Sequence, residues 1–228
     1  AFVAWERRVR HPLLDIGLFV RNPVFAFSNL AALINYAATF AVTFLLSLYL
    51  QVVKALGPQA AGLVLIAQPL VMAACSPFAG RLSDRVQPRG VASAGMALTA
   101  VGLALLTALG PRTPLPAIVA TLGLLGVGFG LFSSPNTNAV MSAVERRHYG
   151  VASATLGTMR LAGQMVSMAL ASLVFAHIVG RVPIAAAGPE EFLRSLRLAF
   201  LLFTVLCALG VFASLARGTL RRGAGAGR

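Results

Sequence analysis

A chain of 228 residues with 58% hydrophobic side chains, only 11% charged ones and a mean hydropathy of +0.84 is too apolar for an aqueous domain, where about a quarter of residues carry charge. Its formal net charge of +13 would suit a nucleic-acid binder, but the basic residues stand in short segments between apolar runs. That distribution argues against DNA or RNA and makes the lipid bilayer the partner.

Taken in chain order, "AFVAW" followed by "ERRVR" reads as the last turns of an apolar helix, with Trp5 at an interface and arginines beyond it. Residues 1–23 are therefore expected to hold the end of an upstream helix and a cytoplasmic linker, with "HPLLDIGLFVRN" along the interface. Six apolar spans follow, at 24–50, 58–80, 90–109, 116–141, 151–179 and 195–216. Each is close to or above the roughly 20 residues that cross a bilayer core of about 30 Å. The expected fold is all-α: a six-helix transmembrane unit over 24–217, then a basic cytoplasmic tail at 218–228.

The first span carries Ser28, Asn29, Asn35, Tyr36, Thr39, Thr43, Ser47 and Gln51. At the helical step all of them fall within an arc of about 160°. The second span offers Gln68 followed by Pro69, a kink candidate. The third and sixth are apolar nearly all round, as outer helices would be. In the fourth, Gly126 and Gly130 make a small-xxx-small pair. Pro135 there interrupts the backbone ladder beside Ser133, Ser134, Asn136 and Asn138, so a hinge and plain tight packing both stay open. The fifth brings Arg160 and Gln164 onto one face with Ser153, Gly157 and Ser167.

Counted from the ends of their spans, Asn35, Gln68 and Arg160 all lie roughly 14–17 Å deep, near mid-membrane. Asn35, Gln68 and Gln164 either bond a neighbouring helix or line a substrate path. A guanidinium at that depth is costly and normally faces a cavity or a partner. All six acids (Glu6, Asp15, Asp84, Glu145, Glu190 and Glu191) fall in loops or at span edges. The expected substrate pathway is Asn35, Tyr36, Thr39, Gln68, Asn136, Arg160 and Gln164, lined by the first, second, fourth and fifth spans, with Pro69 and Pro135 as hinges.

Of the nineteen basic residues, thirteen lie before the first span, between the second and third, between the fourth and fifth, or after the sixth; five lie in the alternate segments. This positive-inside pattern puts both ends of the segment in the cytoplasm. Cys75 and Cys207 fall inside spans, and His11, His148 and His177 lack metal-ligand spacing. Neither a metal site nor an enzyme is expected.

Between the second and third spans stands "GRLSDRVQPR", 80–89, expected as a short cytoplasmic loop. Gly80 permits close approach, Asp84 can cap a helix N-terminus, and Arg81, Arg85 and Arg89 can pair with acids on neighbouring helices. The G-x-x-x-D-R spacing resembles the signature of the major facilitator superfamily. The family pattern continues with a glycine and basic positions, where this chain has Val86, Gln87, Pro88 and Arg89. "ERRVRHPLLDIGLF", "GVGFGLFSSPNTNAVM" and "GVASATLGTMRLAGQ" resemble the C-terminal half of the fourteen-helix drug:proton antiporters of the EmrB/QacA type.

The resemblance implies alternating access against an N-terminal half outside this segment, with the coupling carboxylate and the antiporter glycine–proline motif lying there. It assigns Gly80, Arg81, Asp84, Arg85 and Arg89 to a cytoplasmic gate. It implies no cofactor beyond a proton gradient, and a place in a bacterial inner membrane. The function expected is proton-coupled export of drugs or other amphipathic small molecules. Transport of a metabolite, lipid or siderophore, or a membrane protein with a structural or sensory role, stays open.

Overall fold

The computed structural model describes Phe19, residues 22–180 and residues 188–216, without the side chain of Asp84. The upstream helix end, the basic tail and all of the expected interfacial segment but Phe19 and Asn22 lie outside the described residues.

The described chain is helical: α1 Pro23–Val52, α2 Pro58–Leu65, α3 Ala67–Arg85, α4 Pro88–Leu106, α5 Leu115–Ser142, a single 3₁₀ turn at Arg146–His148, α6 Tyr149–Ile178 and α7 Pro189–Ala216. Together they supply six membrane-length apolar spans, α2 and α3 sharing one. Short connections make sequential helices antiparallel, so α1, α4 and α6 start at the end of the bundle where α3, α5 and α7 finish.

Proline sets most of the helix starts. Pro23, Pro58, Pro88 and Pro189 stand in first turns, where the missing N–H would have had no partner anyway. Asn22 caps α1, its side-chain oxygen accepting from the Phe25 N–H at 3.1 Å, while its amide nitrogen donates to the Ala143 carbonyl at the end of α5. At the other end of α1, Ala55 takes a left-handed φ of 52°. The Leu56 N–H then returns to the Leu50 carbonyl at 3.0 Å. Tyr49 and Lys54 tie this turn to the carbonyls of Gly110 and Pro111, each at 2.7 Å.

Three expectations change. The second span is broken at Ile66, because the Pro69 ring has no N–H for the Leu65 carbonyl and crowds it sterically; helical bonding resumes with Leu70 N–H to the Ile66 carbonyl at 3.1 Å. The stretch 80–89 is not a loop. Helix α3 continues through Arg85, and only Val86 and Gln87 separate it from α4, with Pro88 in the first turn of the new helix. No side chain caps α4, and Asp84 sits in the last turn of α3 rather than at a helix start. The sixth span begins six residues early, at Pro189. Glu190 and Glu191 occupy its first turn, where the helix dipole favours anions. Arg194 and Arg197 therefore lie on α7.

Lipid tails are as apolar as leucine, so these helices gain little by hiding side chains from solvent and associate through close packing. Glycines provide it. A methyl on Gly126 would fall 2.6 Å from the Gln68 carbonyl oxygen, and one on Gly95 2.6 Å from that of Gly128. On Gly163 it would fall 2.5 Å from the carbonyl of Leu33. These contacts join α5 to α3, α5 to α4, and α6 to α1. The buried apolar residues form two clusters. One includes Leu45, Tyr49, Leu103, Leu122, Phe175, Phe192 and Phe200. The other, toward the end where α1 starts, includes Phe25, Ala32, Met96, Phe132, Val140 and Leu156. Asn35 on α1 and Arg160 on α6 fall in the gap between them.

Candidate substrate pocket and its flanking arginine

From the level of Tyr36 upward, the polar side of α1 opens away from its neighbours. A pocket of 890 Å³ forms there, lined by Tyr36, Thr39, Phe40, Thr43, Phe44 and Ser47 of α1 with Gly62, Leu65, Ile66, Gln68, Pro69 and Met72 around the α2–α3 break. Phe129 of α5 and Met168 of α6 complete it. The lining comes from the first, second, fourth and fifth spans, and none of it from α4 or α7. The pocket lies within the range of small-molecule sites, roughly 300–1,000 Å³. Its wall combines aromatic rings and two thioethers, which accept varied apolar shapes, with hydroxyls and one amide.

Arg160 flanks this pocket at the Tyr36 level. Its Nη2 donates to Thr137 Oγ1 at 2.9 Å, and its guanidinium carbon lies 5.7 Å from the centroid of the Tyr36 ring. Thr137 in turn donates its hydroxyl proton to the Ser133 carbonyl at 2.8 Å, which leaves its oxygen free to accept. The Tyr36 ring meets Phe129 edge-on, centroids 5.3 Å apart. Arg160 Nε is buried without a partner. An ion pair does occur elsewhere, Arg147–Glu145 at 3.0 Å on the surface, where such pairs contribute little.

The expected pathway residues divide into three groups. Tyr36, Thr39 and Gln68 line the pocket. Arg160 flanks it, and Gln164, one turn on, is half-buried outside the lining. Asn35 and Asn136 are buried away from it. Asn136 Nδ2 donates to the Ser28 carbonyl at 3.1 Å, an α5–α1 tie, while both amide atoms of Asn35 are buried without a hydrogen-bond partner. Pro69 stands at the helix break, and Pro135 is carried inside an unbroken α5. Sequence reasoning missed Phe40, Phe44, Phe129, Met72 and Met168. The period of α1 was the available signal for two of them, since Phe40 and Phe44 follow Tyr36 at helical spacing.

At the opposite end, Gly80 lies so close to α5 that a methyl there would stand 3.1 Å from Ser134 Oγ. Asn138 Nδ2 donates to Ser83 Oγ at 3.0 Å, and Ser83 donates to the Gly80 carbonyl at 2.8 Å. The G-x-x-x-D-R segment is thus the tethered final turns of α3, with Arg81 and Arg85 exposed and Arg89 half-buried.

Residues 9–226 match the Major Facilitator Superfamily. The chain belongs to that family. Six apolar helices and this match make it a multi-pass membrane protein carrying six helices of a major facilitator fold. Among curated relatives, it is 33% identical to the riboflavin transporter RibZ of Clostridioides difficile over 175 residues, 75% of this chain and 38% of RibZ. It is 30% identical to the multidrug resistance protein Stp of Mycobacterium tuberculosis over 175 residues, 77% of this chain and 32% of Stp. With the lincomycin resistance protein LmrB of Listeria monocytogenes it shares 27% identity over 224 residues, 94% of this chain and 46% of LmrB. The chain therefore spans about a third to just under half the length of the major facilitator relatives it matches.

Proposed function

We propose that this chain is the C-terminal half of a proton-coupled exporter of amphipathic small molecules, of the fourteen-helix EmrB/QacA branch. It works by alternating access in a bacterial inner membrane with both of its ends cytoplasmic. The observation that carries the reading is the 890 Å³ pocket, lined by Phe40, Phe44, Phe129, Met72 and Met168 together with the hydroxyl residues Thr39, Thr43 and Ser47. Such a wall holds apolar bodies of different shape with few directional demands. Named resistance proteins among the relatives support it, as does the concentration of arginine at one end of the bundle. The remaining half of the transporter supplies the coupling carboxylate. Arg81, Asp84, Arg85 and Arg89, on the tethered end of α3 and the start of α4, serve as the gate. The break at Ile66 lets α2 move against α3.

The test is ethidium accumulation in inside-out vesicles carrying the transporter expressed from its complete coding frame. Uptake driven by an acid interior and abolished by a protonophore is expected, with a Phe40→Ala, Phe44→Ala double variant reduced about tenfold. Uptake indifferent to the proton gradient would sink the coupling, and an unaffected double variant would remove the pocket from the path. A second reading, transport of a planar heteroaromatic such as riboflavin, is favoured by the aromatic lining together with the RibZ similarity. Labelled riboflavin in the same vesicles separates the two.

A further inference from the structure

We infer that Arg160 is a built binding point for a carboxylate at the inner end of the pocket, an inference that rests on the pocket being the transport path. A guanidinium near mid-membrane calls for an anionic partner. Among the described residues it has only neutral ones, the Thr137 hydroxyl and the Tyr36 ring. The sequence between Pro23 and Ser83, and again between Arg85 and Val144, contains no acid at all.

The neutral partners orient the fork rather than neutralise it. Thr137 spends its proton on the Ser133 carbonyl and can only accept from Arg160. Tyr36 offers the negative face of its ring. The guanidinium is held in place while Nε, buried and unpaired, lacks an acceptor. A carboxylate matches a guanidinium edge with two parallel hydrogen bonds, and one engaging Nε would give that donor its partner. Two sources share this chemistry: a carboxylate on the transported molecule, or a carboxylate side chain from the rest of the transporter that closes onto Arg160 in one state of the cycle.

The probes are 1-pyrenebutyrate and its neutral analogue 1-pyrenebutanol, bound to the purified transporter in detergent and transported by it in proteoliposomes. If the transported molecule is the source, the acid binds about tenfold or more tightly than the alcohol. That preference disappears in Arg160→Gln, is partly kept in Arg160→Lys, and weakens in Thr137→Val. If a side chain is the source, acid and alcohol bind alike and Arg160→Gln loses transport of both. Replacement of a single membrane-embedded Asp or Glu by its amide then restores it. All three variants, Arg160→Gln, Arg160→Lys and Thr137→Val, are first checked for membrane insertion and a monodisperse elution profile. Should Arg160→Gln not insert, Arg160→Lys and Thr137→Val carry the comparison. Wild-type binding and flux of both probes in a well-inserted Arg160→Gln would overturn the inference. An Arg160-dependent acid preference without proton-driven flux would keep the site and remove the export reading.

Discussion

Asn35 is the residue at which sequence and structure speak most differently. Its depth and its place on the polar arc made it a pathway candidate, yet it points into the bundle with both amide atoms buried and unpaired. An unmade hydrogen bond of this kind costs about 1–3 kcal/mol per buried group. Asn35→Leu, similar in size, should therefore raise the melting temperature of the purified protein, read as the loss of monodisperse protein after heating. A fall instead would show that the amide bonds a group in another conformation. The site was half legible in the sequence for a physical reason. An arc of polar residues tells which side of a helix avoids lipid, but both a pocket and a tight helix seam satisfy that demand. Thr39 and Thr43 went one way; Asn29 and Asn35 went the other. Nothing in the spacing separates them, because spacing along one helix does not say where its neighbours close in, as α6 does at Gly163 against Leu33 and Tyr36.

At the scale of elements, the six spans were legible because crossing a bilayer demands long apolar runs. Their ends were less so. Charge reads as loop in "GRLSDRVQPR" and before residue 195, whereas helix occupies all of the first stretch but Val86 and Gln87 and reaches back to Pro189 in the second. Two substitutions test how the elements join. A methyl on Gly126 would fall 2.6 Å from the Gln68 carbonyl oxygen, while one on Gly123, one turn earlier on α5, would meet only Val71 at 4.0 Å. Gly126→Ala should destabilise the protein by about 1–3 kcal/mol, the usual cost of overpacking. Gly123→Ala should be neutral or better, since alanine favours a helix interior over glycine by about 1 kcal/mol; thermal unfolding of the two variants reads the contrast. In the turn after α1, Ala55→Gly relieves a left-handed alanine and should add about 1 kcal/mol.

For the whole molecule, the arrangement of charge makes a prediction about sidedness. Lys54 and Arg147 lie at opposite ends of the bundle. In a background free of Cys75 and Cys207, a cysteine at position 54 should react with a membrane-impermeant maleimide added outside intact cells. One at position 147 should react only after the cells are opened. The reverse result would invert the orientation proposed from the arginines. A last consequence follows from the glycine seams. Where α5 meets α3 and α4, and α6 meets α1, backbone touches backbone, so few side chains there are at liberty to vary. Part of the pocket wall is free of that constraint: Phe40 and Phe44 are about half exposed, at 45% and 44%, whereas Tyr36 and Phe129 stack on each other and Leu65 and Met168 pack against the core. Mutational tolerance is therefore unevenly spread. On the proposed transport path, exposed wall positions such as 40 and 44 can be exchanged one at a time while the scaffold keeps its register, so that recognition can diverge without a change of shape.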